Sequence, residues 1–207
     1  MVFGILSLAA TVPLLATSTV QLQNTAQETK EGNGQNVAAS KTNKCHLKVI
    51  PSARQSPDVR NAVKNRRLIL KDKAVKLSAQ EDAKPPHHLV TAYYLPFPNQ
   101  DYDGMVTTID DMNMLNWVYV DSETYRVTYG TRAEAEKHLT GPMSLTLMSD
   151  GDSKVNMDGW DGYMAVEDES GEWSLYFDKD SNGLEGKIDE SKTKRIAQLE
   201  LYRDMLE

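Results

Sequence analysis

The string FDKDSNGLEGKIDE, residues 177–190, places oxygen-bearing side chains at every second position and then a glycine. A twelve-residue calcium loop is written this way: Asp178, Asp180 and Asn182 would give the first three side-chain oxygens, Gly183 the sharp turn and Leu184 a carbonyl. The last ligand would fall on Asp189, shorter than the bidentate glutamate such a loop prefers, and the usually apolar eighth position is Glu185. The run before it, GEWSLYF, puts Trp173, Leu175 and Phe177 on one face. That is the period of a strand, where an EF-hand needs a helix. The stretch therefore reads first as strand, acidic turn, helix. Asn182 and Gly183 supply positive φ, and Asp178 and Asp180 accept backbone N–H groups. Asp189 and Glu190 oppose the positive end of the following helix. No cofactor is expected; calcium on Asp178, Asp180, Asn182 and Asp189 is the metal reading of the same residues.

Other chemistry is sparse. No G-x-S-x-G, G-x-x-x-x-G-K-[ST] or H-E-x-x-H occurs, and the glycine-rich EGNGQN lacks the helix a dinucleotide site needs. His87 and His88 are adjacent, so on a strand they point to opposite faces and share a metal poorly. Tyr93, Tyr94, Phe97, Trp117, Tyr119, Tyr125, Trp160, Tyr163 and Trp173 could line a cleft for a flat or sugar-like ligand, although aromatics at strand spacing usually build the core. Asp110, Asp111, Asp150, Asp152, Asp158 and Asp161 could include a hydrolytic pair, but turn chemistry explains them all. The single cysteine, Cys45, excludes an internal disulfide and reads as a small buried hydrophobe. These residues point to a non-enzymatic binding or interaction module. The alternative is a small enzyme or ligand carrier with a cleft near His87, His88 and Tyr94.

Charge narrows the partners. The 207 residues carry a net −7, which argues against a dedicated nucleic-acid binder. Residues 1–100 hold 13 Lys and Arg against 6 Asp and Glu, and residues 101–207 hold 10 against 24. The simplest use of this polarity is internal, a basic strand region lying against an acidic one. A partner protein with a basic surface is the other use.

The elements that must position these residues begin late in the chain. MVFGILSLAATVPLLATSTV, residues 1–20, is apolar but interrupted and shorter than the roughly 20 unbroken apolar residues of a membrane-spanning helix. It has the core length of a secretory signal and a small-residue site in ATS, but no positive charge before Lys30. An intracellular protein is favoured over export through residues 1–18. Residues 21–44 have no aromatic side chain and few large apolar ones, the composition of a disordered linker. The folded domain is expected over residues 45–207.

That domain reads as mainly β. Short runs such as CHLKVI, RRLILKDKAVKLS, GMVTTI, MSLTLM and WSLYFD are divided by Asp-Gly and Asn-Gly turns. A hairpin is expected around Lys71, Asp72 and Lys73 and another over residues 121–124. Trp117 to Val120, apolar on both faces, reads as a central covered strand. TRAEAEKHL carries a capping box from Thr131 to Glu134 and is the one inserted helix. At the end, Ile196, Leu199, Tyr202 and Leu206 make one apolar helical stripe. The expected fold is an antiparallel meander of about eight to ten strands, a barrel or a sandwich, with a C-terminal helix and no visible internal repeat.

TAYYLPFP, LNWVYVDSETYRVTYG and GWDGYMAVEDESGEWSLYFDKDSNGL, with the MVFGIL start, resemble a group of small fungal proteins. The resemblance covers most of the chain. It implies a single domain from about residue 45 and brings no activity, ligand or site residue with it.

Overall fold

The computed structural model describes residues 41–79, 88–109 and 115–206. The apolar start, nearly all of the expected linker, His87, Asp110 and Asp111 lie outside the described residues. Residues from Lys41 onward form one compact unit, and no helix among the described residues is long and apolar enough to cross a membrane.

The fold is mainly β, with thirteen strands among the described residues in one antiparallel sheet. They are β1 (Cys45–Pro51), β2 (Arg67–Lys71), β3 (Ala74–Ser78), β4 (His88–Leu89), β5 (Ala92–Pro96), β6 (Asp103–Thr108) and β7 (Leu115–Val120). Then follow β8 (Val127–Gly130), β9 (Met143–Leu147), β10 (Ser153–Met157), β11 (Tyr163–Asp168), β12 (Trp173–Phe177) and β13 (Thr193–Met205). Among the described residues two short helices, α1 (Pro57–Val63) and α2 (Arg132–Ala135), interrupt them. The sheet closes on itself because β13 returns to pair with β1, from Pro51↔Leu199 to Cys45↔Met205. Closure removes the exposed edge that a long terminal strand would otherwise present.

The pairings repeat three times. β2–β3, β7–β8 and β11–β12 are hairpins. Their second strands meet one another at Ala74↔Thr128, Leu77↔Trp173 and Arg126↔Tyr176. The flanking strands pair as β5–β6, β9–β10 and β13–β1. The sequence hides this repeat because the three hairpins share only an apolar character. Leu68 in β2, Val118 in β7 and Ala165 in β11 all enter the same core at quite different volumes.

The expected C-terminal helix is corrected to a strand. Ala197, Leu199 and Leu201 are buried while Gln198 is exposed and Glu200 only half-buried, a period of two. The stripe through Ile196, Leu199 and Tyr202 mixes residues from both faces of β13. Backbone pairing with β1, β10 and β11 outweighs the helical propensity of this Leu- and Glu-rich segment.

Other local readings hold. Asp72 and Lys73 take φ of 52° and 59°, the two left-handed positions of a tight hairpin. Thr131 and Glu134 form the complete capping box of α2. Trp117 to Val120 is covered on both faces. Val118 and Val120 enter the main core with Leu47, Leu175, Phe177 and Leu201, and Trp117 and Tyr119 join a second cluster with Phe97, Val106 and Ala135. Full burial of such side chains contributes about 1.5–3 kcal/mol each. Asp103-Gly104 is not a turn: it opens β6, and a Cβ on Gly104 would lie 2.8 Å from the Trp117 ring.

The charge polarity is used internally. Lys41–Asp103, Arg67–Asp204, Lys71–Glu172, Lys73–Glu134 and Lys76–Glu172 each join a cation of the first half to a carboxylate of the second.

Candidate functional site

Trp160 ends a two-residue turn. Met157 and Trp160 exchange both backbone hydrogen bonds, at 2.9 and 3.1 Å, with Asp158 and Gly159 between them at φ of 51° and 85°. An Asp-Gly pair adopts this conformation at little cost. The indole then lies against Gly162, where a Cβ would sit 2.7 Å from Cη2 and nearer still to Cζ2 and Cε2. Only a hydrogen leaves room for it there. On its packed side Trp160 meets the buried Phe177, with ring centroids 5.9 Å apart at 60°. The rest of Trp160 faces a cleft of about 520 Å³.

The polar walls of that cleft are held from behind. Lys154 Nζ donates to Asp161 at 2.7 Å and approaches Glu200 at 3.5 Å. Tyr202 donates its hydroxyl to Glu200 at 2.8 Å. The Asp161 carboxylate raises the Lys154 pKa above its ordinary value, so the ammonium stays charged. Burial, and then the Glu200 carboxylate, push the Tyr202 phenol up, and it remains a neutral donor. Gln198 lines the same cleft from β13, and its carbonyl accepts the Ser52 N–H at 2.9 Å, tying the turn at residues 52–54 to the strand. Asp161, Gln198 and Glu200 thus present acceptors and an amide beside an aromatic surface.

The stretch that resembles a calcium loop forms another wall. Asp178 is 5% exposed, and its carboxylate accepts the N–H groups of Asn182, Gly183 and Leu184 at 3.1, 2.8 and 3.4 Å. Its own N–H donates to the Gly162 carbonyl at 2.8 Å, joining this loop to the Trp160 turn. Asp180 accepts the Tyr125 hydroxyl at 2.8 Å, while Asn182 is exposed. Asp189 accepts from Ser191 and pairs with Lys192. It caps a 3₁₀ turn at Glu190–Lys192 in place of the expected helix. The positive φ angles fall on Ser181, Gly183, Leu184 and Gly186, so Gly183 fills its expected role and Asn182 does not. Among the described residues no group of three or more His, Cys, Asp or Glu side chains is placed to hold a metal ion.

The residues of the alternative cleft separate. His88 is exposed on β4, whereas Tyr94 is 1% exposed inside the barrel with Arg203 over its ring. Burial raises the Tyr94 pKa well above its usual value, so the phenol is neutral. An exposed imidazole and a sealed phenol do not line one open cleft. Cys45 is fully buried, as its composition implies, and donates to the Ala92 carbonyl at 3.3 Å.

A family model for the fungal β-trefoil domain matches residues 19–207, and the chain belongs to that family. The three-fold strand pairing is the architecture that this description denotes. Comparison with curated proteins and with solved structures finds no match.

Proposed function

We propose that the protein is a non-enzymatic binding module whose Trp160 cleft takes a hydroxyl-rich ligand of carbohydrate type. The observation that carries this reading is one half-buried indole, fixed by Gly162 and Phe177, standing beside Asp161, Gln198 and Glu200 in a cleft of about 520 Å³. An aromatic face packs against the C–H face of a sugar ring, and carboxylate and amide oxygens accept from its hydroxyls. Few convergent polar groups around an apolar surface is the usual make-up of a small-molecule site. Both carboxylates lean on Lys154, a binding arrangement more than an acid–base pair. A partner protein with a basic surface is the second reading. It is the weaker one, because Asp103, Glu134, Glu172 and Asp204 already pair within the fold.

Isothermal titration with a panel of neutral mono- and disaccharides tests the proposal. Saturable binding that weakens about tenfold or more in Trp160→Ala and in Asp161→Asn supports it; a tenfold loss is about 1.4 kcal/mol. No saturable binding to any sugar, in a protein that is folded by circular dichroism, overturns it.

A further inference from the structure

We propose that the outer edge of β9, at Leu145 and Leu147, takes a strand from a partner: an extended peptide segment that carries lysine or arginine between apolar residues. This surface is separate from the Trp160 cleft and does not rest on the saccharide reading. Of the described strands, β9 pairs with β10 alone, from Met143↔Met157 to Leu147↔Ser153. Its other side carries backbone groups that no described strand uses.

Hydrogen bonding along an antiparallel pair alternates, and two bonds fix its phase here. Met148 N–H donates to the Asp152 carbonyl at 2.8 Å, and Asp158 N–H donates to the Pro142 carbonyl at 2.9 Å. Ser144 and Thr146 thus exchange bonds with β10, while Leu145 and Leu147 aim N–H and C=O outward. The side chains of these two leucines share one face. Leu145 packs on the main core, and Leu147 stands 66% exposed. On the opposite face Thr146 Oγ1 accepts from Asn156 Nδ2 at 2.7 Å, tying β9 to β10.

Edge strands are normally guarded by a charge, a proline or a bulge. Between Pro142 and Asp150 the chain reads MSLTLMS, with no charge and no proline, and the register with β10 is unbroken. An edge left open in this way is a template for another strand, and the charges around it select which one. β9 runs into a turn bearing Asp150 and Asp152. Asp150 accepts the Asp152 N–H at 3.1 Å, and neither carboxylate has a cationic partner among the described residues. Lys154, the one cation of this hairpin, is held by Asp161 and Glu200. Residues 101–207 as a whole hold 24 Asp and Glu against 10 Lys and Arg. A second copy of the chain would bring the same negative charge to the edge and be repelled, whereas a basic peptide meets complementary charge. Main-chain bonds at Leu145 and Leu147 supply affinity, and cations reaching Asp150 and Asp152 supply selectivity.

The test is isothermal titration of the full chain with three end-capped peptides: Lys-Val-Lys-Val-Lys-Val, its Glu-Val counterpart, and the Lys-Val peptide N-methylated along its whole backbone. The expected result is saturable one-to-one binding of the Lys-Val peptide. Its affinity should fall about tenfold or more on N-methylation and in Leu147→Pro. Proline at 147 removes an outward N–H and no bond to β10, a change that an edge strand tolerates. An unchanged melting temperature shows that this variant is folded; if it is not, the N-methylated peptide makes the same test on the parent protein. Asp150→Asn combined with Asp152→Asn should narrow the preference for the Lys-Val over the Glu-Val peptide, and Trp160→Ala should leave binding unchanged. Absence of saturable binding, equal binding of the Glu-Val peptide, or undiminished binding of the N-methylated peptide overturns the proposal. A dimer of the protein alone in sedimentation, dissociated by Leu147→Pro, assigns the edge to a second copy and overturns it as well.

Discussion

Replacing Asp178 by alanine removes the acceptor of the Asn182, Gly183 and Leu184 N–H groups at once. A hydrogen bond to a charged group contributes about 1.5–3 kcal/mol net. The three are not equal. Asn182 and Gly183 are exposed, so water replaces part of what they lose, whereas Leu184 is fully buried but donates at a long 3.4 Å. Counting one bond in full and the other two in part gives about 3 kcal/mol. In a domain of this size each kcal/mol moves the melting temperature by about 2–4 °C, so Asp178→Ala should melt about 6–12 °C lower. Asp178→Asn should recover less than half, because its amide turns N–H donors toward N–H donors. The assay is a thermal melt followed by circular dichroism, in excess EDTA and again in millimolar calcium, with magnesium as the control. A calcium site occupied at about 100 times its dissociation constant would add about 2.7 kcal/mol. Equal midpoints in all three conditions are expected. A drop smaller than about 2 °C in Asp178→Ala would refute the role of the clasp. A calcium-specific rise that vanishes in Asp178→Ala would establish the metal reading instead.

Three further outcomes follow from other contacts. Gly162→Ala should displace the Trp160 indole, lower stability by about 1–3 kcal/mol through overpacking and shift the tryptophan emission; an unshifted spectrum would contradict the packing. Glu167 is buried, and the Arg195 guanidinium holds its pKa below the ordinary 4.5. Its stabilisation is therefore complete above that value and lost as pH falls through the lowered folded pKa. Glu167→Gln should cost about 2 kcal/mol at neutral pH and converge with the parent in acid, which melts across pH would show. Lys73→Gly relieves a left-handed lysine at φ 59° and should raise the melting temperature by about 2–4 °C, since the Lys73–Glu134 pair lost with it is exposed and weak.

Much of the fold is written locally. Asp72 and Lys73 at a hairpin, the Thr131–Glu134 box and the two-faced run from Trp117 depend on neighbours a few residues away, and each is legible. α1 is missed as an element although Ser56 caps it and Pro57 opens it, because its apolar stripe is one turn long. β13 misleads because Ile196, Leu199 and Tyr202 satisfy a helical spacing, while the partners that select a strand lie some 150 residues earlier in β1. The cleft fares likewise. Trp160 and Asp161 are visible as an aromatic and a turn aspartate, and Asp178 as a turn acceptor. That they face one wall with Gln198 and Glu200 follows only from the pairing that sets β11 beside β13.

Trp117 and Trp173 are buried, at 6% and 1% exposure, so among the three tryptophans only Trp160 is open to small solutes. Acrylamide quenching of the intrinsic fluorescence therefore reads the proposed cleft directly. The account predicts a quenchable fraction in the unliganded protein that a bound saccharide protects, and that is missing in Trp160→Phe. Quenching that no saccharide alters, at concentrations where titration shows binding, would place the ligand elsewhere and contradict the account.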